Sequence, residues 1–138
     1  MCIIVLSTQR TPLTFTLRPH QQRALDAMDR HEKGQIIVPT GGGKTFIMIR
    51  NAIRTLSEGS ATIVVVAPRI LLANQLCSEF MEQIDSNYVH VCHAHSGETE
   101  HFSSTKSEKI ALFNNTVRAA GESCIIFTTY HSLNRVID

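Results

Sequence analysis

Gln35-Ile36-Ile37-Val38-Pro39-Thr40-Gly41-Gly42-Gly43-Lys44-Thr45 is the stretch on which the fold of this chain turns. An apolar, β-branched run stops at three successive glycines, and a helix-forming segment, Phe46 to Leu56, follows at once. The glycines let the backbone take positive φ angles, so several N–H groups can converge on one anion with no Cβ in the way. The helix adds the positive end of its dipole at the same point. A flexible turn with an ordinary surface lysine would need neither flank, and strand, turn and helix together read as a phosphate-binding loop.

Four variable residues followed by Gly43, Lys44 and Thr45 make the core of the Walker A signature, with Val38 where its leading glycine stands. In that reading Thr40, Gly41, Gly42 and Gly43 form the cradle of a nucleotide triphosphate. Lys44 carries a charge to the β- and γ-phosphates, and the Thr45 hydroxyl holds Mg²⁺. The expected ligands are ATP and Mg²⁺.

The rest of the chain bounds the setting. At 138 residues it is one domain's worth, able to bury a real core but short for two nucleotide-gripping lobes. A formal net charge of +1 gives no bulk pull toward nucleic acid, so any such binding must come from placed residues. Cys2, Cys77, Cys92 and Cys124 lack paired CxxC spacing, which favours free thiols in a reducing, cytoplasmic setting, bacterial or virus-encoded, over bridges. Met1-Cys2-Ile3-Ile4-Val5-Leu6 is too short for a membrane span, so residues 1–16 read as an N-terminal extension or edge strand and no membrane partner is expected.

Strands and helices alternate along the remainder. Pro19 suits a first helical turn, with Ala24, Leu25 and Met28 on one face behind it. Thr62-Ile63-Val64-Val65-Val66-Ala67 is the near-continuous apolar run of a strand covered on both faces, and Leu72, Leu76, Phe80 and Ile84 follow at helical spacing. A third strand is expected over 88–94, a polar loop to Thr105, a helix over 107–120 stopped by Gly121, and a fourth strand over 123–127. The expected architecture is α/β, a three-layer parallel sheet with helices on both faces. His90, Cys92, His93, His95 and His101 invite a zinc reading. Alternation along a strand sends these side chains to opposite faces, and buried or hydrogen-bonded histidines account for them better.

Three segments resemble superfamily 2 helicases. Arg18-Pro19-His20-Gln21 upstream of the loop resembles the Q motif region, which implies that Arg18 and Gln21 stand at the nucleotide and that Gln21 reads the adenine edge. A carboxamide suits that task because its donor and acceptor lie side by side; the plainer alternative is a solvated helix residue. Ala67-Pro68-Arg69-Ile70-Leu71-Leu72-Ala73-Asn74-Gln75 resembles motif Ia, except that the family's arginine position holds Ile70 and the charge sits at Arg69. Thr128-Thr129-Tyr130-His131-Ser132-Leu133 resembles the motif Ib or Ic turn. The resemblance implies nucleic-acid backbone contacts from Pro68, Arg69, Thr128 and Thr129. An exposed first-turn arginine and a helix-capping threonine are the structural alternatives. Ser96-Gly97-Glu98 resembles the segment after the third strand and is assigned no chemistry.

The resemblance runs from about Leu17 to Leu133 and stops before the family's DExH motif and second lobe; no apolar run here ends in Asp-Glu. Residues 17–138 therefore read as the N-terminal part of a RecA-like ATP-binding domain. They lack the carboxylates that hold Mg²⁺ and orient water, so little ATP turnover is expected from this stretch alone. The pattern is close to phage recombination helicases and restriction-enzyme motor subunits, making DNA the expected partner alongside a second RecA-like lobe. Two other classes share the loop. A P-loop phosphotransferase or kinase would need an acceptor site and would have no use for Gln21, and a non-catalytic P-loop scaffold would use the fold for protein contacts.

Overall fold

The structure is a computed structural model that describes residues 2–5, 18–31, 44–84, 89–95, 97 and 102–137. The elements are β1 (Cys2–Val5), α1 (Pro19–Arg30), α2 (Lys44–Ser57), β2 (Thr62–Ala67), α3 (Ile70–Gln83), β3 (Val89–Ala94), β4 (Phe102–Ser103), α4 (Ser107–Ala119), β5 (Ser123–Thr129), a 3-10 turn (Tyr130–Ser132) and α5 (Asn134–Ile137). The expected strand over 35–38 and the glycine turn after it lie outside the described residues.

One parallel sheet runs in the order β1-β2-β5-β3-β4. The chain leaves β2 and skips a position to reach β3. It then returns through α4 to lay β5 into the gap. Right-handed crossovers that travel in opposite directions put their helices on opposite faces, so α3 and α4 sandwich the sheet. Side chains divide accordingly. Ile63, Val65 and Ala67 of β2, Val89 and Val91 of β3 and Ile125 and Phe127 of β5 face α2 and α3. Val64, Val66, Cys92, Ala94, Cys124 and Ile126 face Ile110 and Val117 of α4. Every residue of β2 and β5 is buried, as parallel strands covered on both sides must be. The three-layer expectation holds.

Local chemistry explains the boundaries. Gly121, at φ +79°, takes the left-handed conformation that ends α4, and Glu122 N–H returns to the Val117 carbonyl at 3.2 Å. Cys2–Val5 pairs in register with Ile63–Val66 and is the outermost strand on that side among the described residues; the rest of 1–16 lies outside them. β5 runs two residues further than expected, to Thr129, because Thr128 and Thr129 stay in the ladder opposite Val66 and Ala67. The expected loop over 95–105 contains the two-residue strand β4 beside Cys92 and His93. Among the described residues no helix is long and apolar enough to cross a membrane.

Candidate nucleotide and nucleic-acid site

Lys44 and Thr45 open α2, a helix buried on most sides through Phe46, Ile47, Met48, Ile49 and Ala52. Lys44 is half-buried. Thr45 has no exposed surface, and its Oγ1 has no hydrogen-bond partner among the described residues. A buried hydroxyl left unsatisfied costs about 1–3 kcal/mol, and the chemistry of this atom fits a metal or phosphate ligand. Thr40, Gly41, Gly42 and Gly43 lie outside the described residues.

α1 packs on α2 through Ala24, Leu25 and Met28 against Ile47. Arg54 of α2 bolts the pair from the far end: Nη1 donates to the Leu25 carbonyl at 3.2 Å and meets Asp29 at 3.0 Å, while Nη2 donates to Asn51 Oδ1 at 2.7 Å. Gln21 is fully buried rather than solvated, and its Oε1 accepts Arg18 N–H at 2.7 Å. The carboxamide thus caps its own helix and is held in one orientation, whereas Arg18 is exposed at the cap position.

The carboxyl ends of β2, β5 and β3 form a second locus. Ala67 stands opposite Thr129, and Thr128 opposite Ala94, so the segments that follow these strands emerge side by side. Ligands of open α/β sheets bind at such edges, where the strand order reverses. Pro68 is half-buried, and Arg69 is exposed in extended conformation (φ −140°, ψ 155°) at the head of α3 without a side-chain capping bond. Leu71, in the first turn, is 80% exposed. Thr128 and Thr129 are buried, and the Thr128 hydroxyl donates to the Ala94 carbonyl at 2.8 Å, stitching β5 to β3. Tyr130 and His131 follow on the surface.

Sequence reasoning passed over what joins this edge together. His93 and His95 are buried, with His93 Nδ1 3.2 Å from His95 Nε2, which lies 3.1 Å from Asn74 Oδ1 of α3. Burial lowers the His95 pKa from its ordinary value. The histidine-rich window was visible, and the alternation that places His93 on the α3 side with Val91 was the available signal; the pairing with Asn74 was not. Cys77, Cys92 and Cys124 are buried thiols outside any disulfide, pushed up by burial to about 11, 12 and 12, so they stay protonated at neutral pH.

Comparison with known proteins identifies the family and the fold. A family profile described as "Type III restriction enzyme, res subunit" matches residues 14–137. An uncharacterized helicase of Dictyostelium discoideum is 31% identical over 110 residues, 79% of this chain and 6% of the relative. A nuclease-deletion mutant of the Type ISP restriction-modification enzyme LlaGI, solved with a DNA substrate mimic, superposes with a TM-score of 0.74 at 21% identity over 87% of this chain and 11% of that one. The ATP-dependent Type ISP restriction-modification enzyme LlaBIII bound to DNA gives 0.67 at 20% identity over 88% of this chain and 9% of that one. The two solved structures speak for the fold, and the chain spans only about a tenth or less of these three proteins. On the profile match across nearly all of its length, the chain belongs to the family of Type III restriction enzyme res subunits, whose helicase-type RecA-like fold it carries.

Proposed function

We propose that this chain is the nucleotide-gripping first portion of an ATP-dependent DNA helicase or translocase, residues 17–138 forming the start of its first RecA-like domain. The observation that carries the reading is the Thr45 hydroxyl, buried and unpartnered among the described residues at the head of α2, two positions after the run of three glycines in the sequence. Gly41, Gly42 and Gly43 would offer backbone amides to the polyphosphate, Lys44 a charge, and Gln21 a carboxamide already oriented by Arg18 N–H. Mg²⁺, when bound with the nucleotide, supplies charge neutralisation on the phosphate oxygens, and Thr45 is the residue here that would hold it.

For nucleic acid, Arg69 and the first amides of α3, which have no partner within the helix, suit phosphate oxygens, contacts that position a strand without reading its bases. Thr128, with its hydroxyl committed to Ala94, serves this surface by fixing the end of β5, and Pro68 and Thr129 shape the adjoining turns. DNA is favoured by the DNA-bound state of the two structural neighbours. A second RecA-like lobe would complete the ATP clamp, and cysteines outside any disulfide suit a cytoplasmic protein.

The test is binding of single-stranded DNA by the full natural protein with and without a non-hydrolysable ATP analogue. Coupled sites predict tightening of about 5–100-fold on adding the analogue. A phosphotransferase or a scaffold would show no stimulation, and that result would remove the motor assignment.

A further inference from the structure

The segment after β3 is fastened to α3 by contacts that the nucleotide reading leaves unused. The His95 ring is 2% exposed, and both of its nitrogens are engaged. Gly97 N–H donates to Nδ1 at 3.1 Å, which makes Nδ1 an acceptor and assigns the ring proton to Nε2. That N–H faces Asn74 Oδ1 at 3.1 Å, with His93 Nδ1 beside it at 3.2 Å as a second acceptor. The His93 ring in turn stacks on Phe127 of β5, with centroids 5.7 Å apart and planes at 27°. Gly97 presses so closely on α3 that a Cβ there would stand 2.6 Å from Ile70 Cγ2.

These ties fall where hydrophobic packing is thin. The buried residues of α3 are Ala73, Leu76, Cys77 and Phe80, all beyond its first turn. In the first turn Ile70 and Leu72 are only half-buried and Leu71 is largely exposed. The apolar core takes in the body of α3 and, from its first turn, the half-buried Leu72, while Ile70 and Leu71 lie outside it.

We propose that His95 is a positioning residue for strand binding: through Asn74 and Gly97 it clamps the head of α3, with Arg69, to the carboxyl ends of β3 and β5. The inference rests on the nucleic-acid reading above and adds the residue that makes its surface rigid. A helix start that is free to fray presents its amides and Arg69 in many orientations, and ordering them on binding costs affinity. His95 touches neither ligand in this scheme, so nucleotide affinity should be indifferent to it.

The experiment uses the full natural protein and measures two dissociation constants, one for a single-stranded DNA oligonucleotide and one for a fluorescent ATP analogue. His95→Leu removes both arms of the clamp, Asn74→Ala removes one, and Gly97→Ala forces the loop off Ile70. Each should weaken DNA binding by about tenfold, the scale of one or two lost hydrogen bonds, and leave the nucleotide constant within about twofold. His95→Gln, which keeps a donor toward Asn74, should recover part of the loss. If His95→Leu does not fold, Asn74→Ala and Gly97→Ala carry the same comparison. Unchanged DNA affinity in the folded variants, or equal loss of both affinities, would overturn the proposal. Absence of DNA binding by the unsubstituted protein is a separate result that would overturn the underlying reading and the clamp with it.

Discussion

At residue scale, the informative side chains are those whose polar atoms are buried. Gln21 could be picked from the sequence as a candidate, and its bond from Arg18 N–H is a local capping contact three residues apart, but its complete burial is a tertiary fact that no local pattern encodes. Thr128 shows the reverse: a hydroxyl that looks ready for a phosphate is spent on the neighbouring strand. His95 makes a pH prediction. Its folded pKa lies below its ordinary value because burial penalises the cation, and a proton on Nδ1 would also confront Gly97 N–H. Above pH 6.5 the ring is neutral in folded and unfolded chains alike, and its full contribution is present. On acidification below that value the unfolded chain takes up the proton first, so stability falls. The midpoint of thermal unfolding should therefore drop between pH 7 and pH 5 more for the wild type than for His95→Gln. Equal slopes would show that His95 titrates alike in both states.

At element scale, the strands and helices followed from periodicity and punctuation, since β2 is an unbroken apolar run and Gly121 marks the stop of α4. β4 escaped notice because two residues leave no alternation to see, and its pairing with Cys92 and His93 comes from the chain folding back along β3. The union of α1 and α2 was likewise invisible, as its polar bolt joins Arg54 to residues nearly thirty positions earlier. If that bolt sets the height of Gln21 over the nucleotide, Arg54→Met should lower ATP affinity by about 3–10-fold, the scale of its hydrogen bonds, and leave GTP affinity unchanged. Parallel titrations with the two nucleotides check it. Equal loss for both would place Arg54's effect on the phosphate grip or on folding.

At the scale of the whole molecule, the order in which strands are laid down explains how residues far apart in the chain come to one edge of the sheet. β5 inserts between β2 and β3, so Arg69, Thr129 and His95 arrive together although they are scattered along the chain. The α/β class and the motif order were readable from residue types alone; the insertion that makes the edge continuous required the sheet itself. The family match supports the same architecture, and the Dictyostelium relative and the two restriction enzymes extend far beyond the part seen here. The account stands on a polyphosphate seated ahead of Lys44. Titration of a fluorescent ATP analogue into the full natural protein and its Lys44→Ala variant tests this most directly. Loss of a charge-assisted contact predicts affinity at least about 30-fold weaker in the variant, with an unchanged unfolding midpoint in the absence of nucleotide. Equal affinity in the two proteins would contradict the account.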